Sequence, residues 1–281
     1  MPAETGTTMI RSNFHTHTLF CDGKNTAEEM VQQALANGFE QLGFSGHMDP
    51  DIHMDIQAYY REIRRLQKEY AGRLDILMGV ELDNMYDPRC ADEAEYIIGS
   101  THFLDVDSEI PMSVDNTPEM MEQLCKEFYG GDYYRLSRAY YELEAKVYDR
   151  LKCTFVGHFD LVTRFNDSMH FLDESDPRYY RPALEAMEYL VSEGLPFEIN
   201  CGAYNRGRKE EMYPNRFLLK ALRDMGGRIL ISSDAHQKEL LSGGFDEAVR
   251  RAAACGFTHY LILKHDPAGR VVLEERALDL K

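Results

Sequence analysis

The sequence has no tryptophan, so its aromatic bulk comes from 17 tyrosines and 14 phenylalanines. No apolar run approaches the roughly 20 residues that a membrane-spanning helix needs. The first twelve residues are polar and lack the apolar centre of a secretory signal. The six cysteines (Cys21, Cys90, Cys125, Cys153, Cys201 and Cys255) are scattered, with no CxxC pair. They read as reduced thiols of a cytoplasmic protein rather than as a disulfide framework. Basic residues are also scarce, 31 against 48 acidic ones, for a net charge of −17. Such a surface repels nucleic-acid backbones and anionic membranes at long range. An anionic substrate is not excluded, because bound cations dominate the field inside a metal site. No Pro/Ser-rich linker, repeat or low-complexity stretch interrupts the chain, so residues 1–281 are expected to form one domain.

What is there is a regular alternation. Short apolar runs at 12–17, 41–47, 74–82, 96–103, 154–159, 196–200 and 228–233 read as strands, with a possible last one at 259–264. Helical patterns lie between them at 26–37, 56–70, 118–127, 133–150, 178–193, 215–225 and 245–254. The first opens on a capping box, Thr26 followed three residues later by Glu29. Strand–helix alternation at this spacing predicts a parallel sheet with helices outside, an α/β barrel. Residues 104–131 break the pattern with two loop signals, Ile110-Pro111 and Thr117-Pro118, and read as an excursion at the barrel mouth.

Of the ten histidines, His15, His17, His47, His102, His158 and His236 fall at or just past the ends of predicted strands. Glu81 and Asp234 occupy similar places. The C-terminal strand ends of an α/β barrel converge on one face, so these residues are expected to meet in one cleft. Imidazole and carboxylate are good ligands for first-row divalent metals. His15-Thr16-His17 puts two imidazoles on one side of a strand, and Asp234-Ala235-His236 has the same alternation. Either alone is weak, and His47 alone reads as a loop or helix-capping residue. Glu81 is more telling, since a carboxylate on an apolar strand is costly unless paired or metal-bound. His102 and His158 each follow a strand and a glycine, Gly99 and Gly157, which are expected to leave room for a ligand near the backbone. His53, His170, His259 and His265 lack this placement and read as surface or loop residues.

In this order the motifs resemble the PHP family (polymerase and histidinol phosphatase), most closely its histidinol-phosphatase branch. The resemblance is carried by Asn13-Phe14-His15-Thr16-His17 with Cys21-Asp22-Gly23, Gly43-Phe44-Ser45-Gly46-His47, Gly79-Val80-Glu81, Gly99-Ser100-Thr101-His102-Phe103, Gly157-His158-Phe159-Asp160 and Ser233-Asp234-Ala235-His236. It implies a distorted (β/α)7 TIM-like barrel with three divalent transition metals, Zn, Mn, Fe or Co. His15, His17, Glu81 and Asp234 would bind one ion. Glu81 would bridge to a second, held by His102 and His158. Asp22, His47 and His236 would hold a third. Cys21 is the less favoured soft ligand beside Asp22.

Such a site makes hydroxide available near neutral pH, so phosphate-ester hydrolysis needs no serine or cysteine nucleophile. Glu81 and Asp234 would then be catalytic through the metals. Arginine suits the phosphate itself, because its fork matches the oxygens. The candidates are Arg164, six residues after His158, and Arg206 or Arg208 after the strand at 196–200. The run Asn200-Cys201-Gly202-Ala203-Tyr204-Asn205-Arg206 displaces the family's arginine by one residue, so the choice between the last two stays open. The favoured substrate is a small phosphate ester, L-histidinol phosphate, whose cationic end would suit an acidic mouth formed by Asp49, Asp51, Asp83 and Asp160. The alternatives are a phosphoesterase for nucleotides or short oligonucleotides, with Tyr204 as a stacking platform, and a noncatalytic metal-binding module. An amidohydrolase-like hydrolase is disfavoured, because no lysine stands at a strand end.

Overall fold

The computed structural model describes residues 9–52 and 54–278. His53 and most of the polar N-terminal stretch lie outside the described residues. Seven parallel strands run in sequence order around the sheet: β1 (Ser12–Asn13), β2 (Gln41–Met48), β3 (Asp75–Asp83), β4 (Tyr96–Ser100), β5 (Phe155–Val156), β6 (Phe197–Asn200) and β7 (Ile229–Ser232). Every residue of β2 is buried, as expected of a parallel strand covered on both faces. The sheet closes where the last strand runs on to meet the first. Thr16 and Ala235 form a parallel bridge, with His17 N donating to Ala235 O at 2.9 Å. The α/β barrel is thus nearly complete with seven strands.

Helices α1 (Ala27–Ala36), α2 (Ile56–Glu69), α3 (Pro118–Tyr129), α4 (Tyr133–Glu144), α5 (Val147–Leu151), α6 (Asn166–Met169), α7 (Pro177–Ser192), α8 (Gly202–Asn205), α9 (Arg216–Asp224) and α10 (Phe245–Ala254) occupy the connections. The capping box of α1 is present, Thr26 and Glu29 each satisfying the other's backbone N–H. The pattern at 133–150 splits into α4 and α5. No proline or glycine marks that break, so it was invisible to periodicity.

Tyrosine fills the barrel in place of tryptophan. The Tyr96 ring sits against Gly43 and Gly79, where any Cβ would lie within 2.4 Å of it. Its hydroxyl reaches the carbonyl oxygens of Phe14 at 2.8 Å and Phe44 at 2.9 Å. One side chain thereby ties β4 to the first two strands and satisfies its own polar atom.

The expected run at 259–264 is a strand, β8 (His259–His265), but not part of the barrel. It pairs antiparallel with β9 (Val271–Ala277), which the sequence reading did not find. The barrel has no place for an eighth strand, because β7 already reaches β1. Tyr260, Leu261, Ile262 and Leu263 join the common hydrophobic core. His265 is not a free surface residue. Its Nδ1 lies 2.6 Å from Asp75 Oδ1 and its Nε2 3.2 Å from Glu95 Oε1, joining the hairpin to the barrel floor.

Candidate metal centre

The strand ends deliver the expected side chains to one cleft of about 750 Å³, lined by Asp22, His47, Glu81, His102, His158, Asp234 and His236 among others. His15 and His17 lie fully buried beneath it. His47 stands inside β2 rather than in a loop. His102 and His158 each lie two residues past their strands. Asp234 adopts a left-handed backbone, φ +49°, a conformation aspartate tolerates better than most residues. Gly202 makes space beside it, since a Cβ there would lie 2.5 Å from Asp234 Oδ2. Gly99 and Gly157 play a different part from the one expected. A Cβ on Gly99 would strike Cys153 and Val147, and one on Gly157 would strike Ser100 Oγ. They permit close packing rather than ligand access.

Glu81 is the hub. Its Oε2 lies 3.0 Å from His15 Nε2, 3.1 Å from His47 Nδ1 and 3.5 Å from His17 Nε2. Its Oε1 lies 2.8 Å from His158 Nε2 and 3.3 Å from His102 Nε2. Asp234 Oδ1 lies 3.4 Å from His17 Nε2 and 3.3 Å from His236 Nδ1. Asp22 Oδ2 is 3.0 Å from His236 Nε2, and Asp22 Oδ1 is 3.7 Å from His47 Nε2. His15 Nε2, His17 Nε2, His47 Nδ1 and Glu81 Oε2 are buried without a hydrogen-bond partner in the protein. Buried polar atoms are normally satisfied. Converging orphan nitrogens and oxygens of this kind fit cations.

Four groups of side chains could each hold an ion: His17, Asp22, His47 and His236; His15, His17 and Asp234; His15, Glu81 and His158; His47, Glu81 and His102. The groups overlap more than the expected partition, with His15, His17, His47 and Glu81 each in two of them. Burial, with His236 and His47 alongside, pushes the His17 imidazole down to about 3. It is therefore neutral at physiological pH, the form that binds metals. Cys21 is not among the grouped residues. Burial raises its thiol to about 11, which keeps it protonated, and it packs 3.6 Å from His17 Nδ1.

Behind the cluster stand carboxylates that orient the rings. His15 Nδ1 is 3.0 Å from both oxygens of Glu198, whose Oε1 also accepts from His158 N and Asn200 Nδ2. Asp83 accepts from His102 N at 2.7 Å and lies 3.4 Å from His102 Nδ1. A histidine ligand commonly has such a partner on its second nitrogen. Sequence reasoning missed Glu198 in this role, although the buried carboxylate on an apolar strand that drew attention to Glu81 recurs in Phe197-Glu198-Ile199.

Arg164, Arg206 and Arg208 all line the cleft. Arg206 is committed to the cluster, with Nη1 donating to Asp234 O at 2.9 Å and Nη2 lying 3.3 Å from Asp234 Oδ2. Arg164 Nη1 lies 3.2 Å from Asp115 Oδ2. Asp115 belongs to the excursion at 104–131, which does reach the barrel mouth. Arg208 sits exposed at the rim. Of the four acids expected at the mouth, Asp49 and Asp51 line the cleft. Asp83 is buried behind His102, and Asp160 is buried with its Oδ2 on Asn215 N. Burial raises the Asp160 carboxyl to about 7. Tyr204 does not line the cleft, and Arg251 lies over its ring at 5.2 Å, so the expected stacking platform is absent.

Comparison with known proteins follows the same lines. Residues 13–202 match the family model described as PHP domain. A Deinococcus radiodurans protein named probable histidinol-phosphatase is 30% identical over 261 residues, covering 86% of this chain and 92% of that protein. The Bacillus subtilis histidinol-phosphatase is 26% identical, with 82% and 94% covered. A crystal structure of histidinol phosphate phosphatase from Lactococcus lactis, complexed with Zn, L-histidinol and phosphate, superposes with a TM-score of 0.72 at 21% identity, covering 94% of this chain and all of that one.

Proposed function

This chain belongs to the PHP domain family, and on that premise we propose that it is a cytoplasmic metal-dependent phosphomonoesterase, folded as one domain. The reaction is hydrolysis of L-histidinol phosphate to L-histidinol and phosphate, the penultimate step of histidine biosynthesis. The observation that carries this reading is five imidazoles gathered around the single carboxylate of Glu81. The names of the relatives, and the zinc, histidinol and phosphate of the Lactococcus structure, support the choice of substrate. No described helix is long and apolar enough to cross a membrane.

His15, His17, Glu81 and Asp234 are assigned to one ion. Glu81, His102 and His158 hold the second, and Asp22, His47 and His236 the third. Divalent ions there supply Lewis acidity and a nucleophile from water near neutral pH. The chain's own residues do the rest. Glu198 and Asp83 hold the imidazoles in their tautomers and orientations. Arg206 fixes the Asp234 carboxylate and so acts on the metal side. Arg164 and Arg208 face the cleft and take the phosphate oxygens. A long nucleic acid is disfavoured by the acidic surface, and a nucleotide finds no stacking ring at Tyr204.

The test is a kinetic comparison at matched metal content. The kcat/KM for histidinol phosphate exceeds those for AMP and an aryl phosphate by at least about tenfold, which requires ~1.4 kcal/mol of differential transition-state binding. Equal or better turnover of AMP would move the assignment to nucleotides. No turnover of any phosphate ester by metal-replete protein would leave a noncatalytic module.

A further inference from the structure

The ion pair between Asp115 and Arg164 spans the cleft wall, and it makes chemical sense as a pair that the substrate exchanges. Six carboxylates line the cleft: Asp22, Asp49, Asp51, Glu81, Asp115 and Asp234. Asp22, Glu81 and Asp234 belong to the metal cluster. Asp49 Oδ1 accepts from Asp51 N and Ile52 N, capping its own loop, while its Oδ2 faces His47 Nδ1 at 3.6 Å. Asp51 is exposed at the rim. Asp115 is different, for its side chain is only 18% exposed and its Oδ2 is on Arg164, itself 17% exposed. Ser113 Oγ donates to Asp115 Oδ1 at 2.8 Å.

The segment is anchored to the centre. Phe103 and Ser113 form an antiparallel bridge, and Val114 N donates to His102 O at 2.8 Å. Asp115 is therefore placed by the same backbone that places His102. The carboxylate has a fixed position relative to the site of phosphate hydrolysis, and next to it lies an arginine suited to phosphate.

We propose that Asp115 is a specificity-determining residue that binds the ammonium group of an amino-alkyl phosphate ester, releasing Arg164 to the phosphate. This deepens the histidinol-phosphate reading and rests on it. In that substrate the amine is two carbons from the ester oxygen, so its cation and its anion lie side by side, as Asp115 and Arg164 do. One zwitterion replaces the internal pair and leaves neither protein charge alone. An amine-free ester takes Arg164 but strands Asp115 beside a dianion. Leaving a partly buried charge without its partner is costly, so the site discriminates against such an ester.

The experiment compares wild type and Asp115→Asn on three probes: histidinol phosphate, 2-aminoethyl phosphate and propyl phosphate, with metal content measured on each preparation. The variant keeps its metals. It loses at least about tenfold in kcat/KM on both amino esters, while propyl phosphate is unchanged or improves because Arg164 is freed. An equal loss on all three probes overturns the proposal and makes Asp115 only a positioning residue for Arg164. No loss on the amino esters overturns it outright. Should wild type prefer AMP to histidinol phosphate, the histidinol reading fails, while the aminoethyl and propyl pair still reports on Asp115. Ser113→Ala, which removes the hydrogen bond to Oδ1 and those that Ser113 Oγ accepts from Asp115 N and Asn116 N, gives a smaller loss confined to the amino esters at unchanged metal content, and this variant decides the matter if Asp115→Asn does not fold.

Discussion

Glu198 grips His15 from behind: both of its oxygens lie 3.0 Å from Nδ1, while the Nε2 of the same ring lies 3.0 Å from Glu81. The imidazole is thus held between two carboxylates, one supporting and one sharing its cation. Hydrogen bonding of this kind fixes the tautomer and makes the ligating nitrogen more basic, and its loss typically costs 10–100-fold in metal affinity. Glu198→Gln is expected to retain the fold and bind metal about 10–100-fold more weakly in a chelator competition. Glu81→Ala, by contrast, is expected to lose more than one ion per chain by elemental analysis, because it touches two groups of ligands. Loss of a single ion from Glu81→Ala would count against the bridge.

The three arginines divide by what they touch. Arg206 holds Asp234 through both its carbonyl and its carboxylate, so Arg206→Ala is expected to reduce metal content and turnover together. Arg164→Ala and Arg208→Ala are expected to keep their metals and weaken phosphate binding. For Arg164 the cost is roughly 1.5–3 kcal/mol in transition-state stabilisation, the range for a charge-assisted hydrogen bond. Elemental analysis beside steady-state kinetics separates the two classes. Full metal content in Arg206→Ala would return that residue to direct phosphate contact.

His265 gives a pH signature far from the active face. Burial alone would lower its pKa, but the hydrogen bonds and charges of Asp75 and Glu95 outweigh it and raise the value above normal. A histidine raised in the folded state contributes stability below its unfolded value of about 6.5, and that contribution is lost as pH rises through the folded value. The Tm difference between wild type and His265→Gln is therefore expected to be larger at pH 6 than at pH 9. Thermal melts at the two pH values check this. A constant difference would mean that the contact is packing rather than charge.

The barrel and eight of its nine ligand candidates were legible because they lie at or near strand ends, where apolar runs, glycines and polar residues change over abruptly; Asp22, in the loop after β1, came only from the family resemblance. Glu81 betrayed itself as a carboxylate in an apolar strand. Glu198 carried the same signal and passed unnoticed, because it lies in the middle of its strand and contacts His15 from a strand distant in sequence. Asp115 had no local signature, since its meaning comes from Arg164 across the cleft. The hairpin β8–β9 was half read. Its first strand is apolar, whereas its second is mostly half-buried, and Val271–Ala277 alternates too weakly to stand out. Asp83 and Asp160 were misplaced for a related reason: an acid beside a strand end can face the cleft or turn behind it, and sequence does not fix which.

The seam between Thr16 and Ala235 has a bearing on how the protein comes into being. His15 and His17 are made before Asp234 and His236, with more than 200 residues between the two pairs. A nascent chain on the ribosome carries the early histidines without a finished centre while the intervening strands are made. Any ion seated between His17 and Asp234 is captured only after the last barrel strand has emerged, and it then fastens the two ends of the barrel together. Loading at the groups that include Asp234 or His236 would thus come late, whereas His15, Glu81 and His158 and His47, Glu81 and His102 need neither residue, and a chain truncated before Asp234 would retain most of its imidazoles without ever joining its first strand to its last.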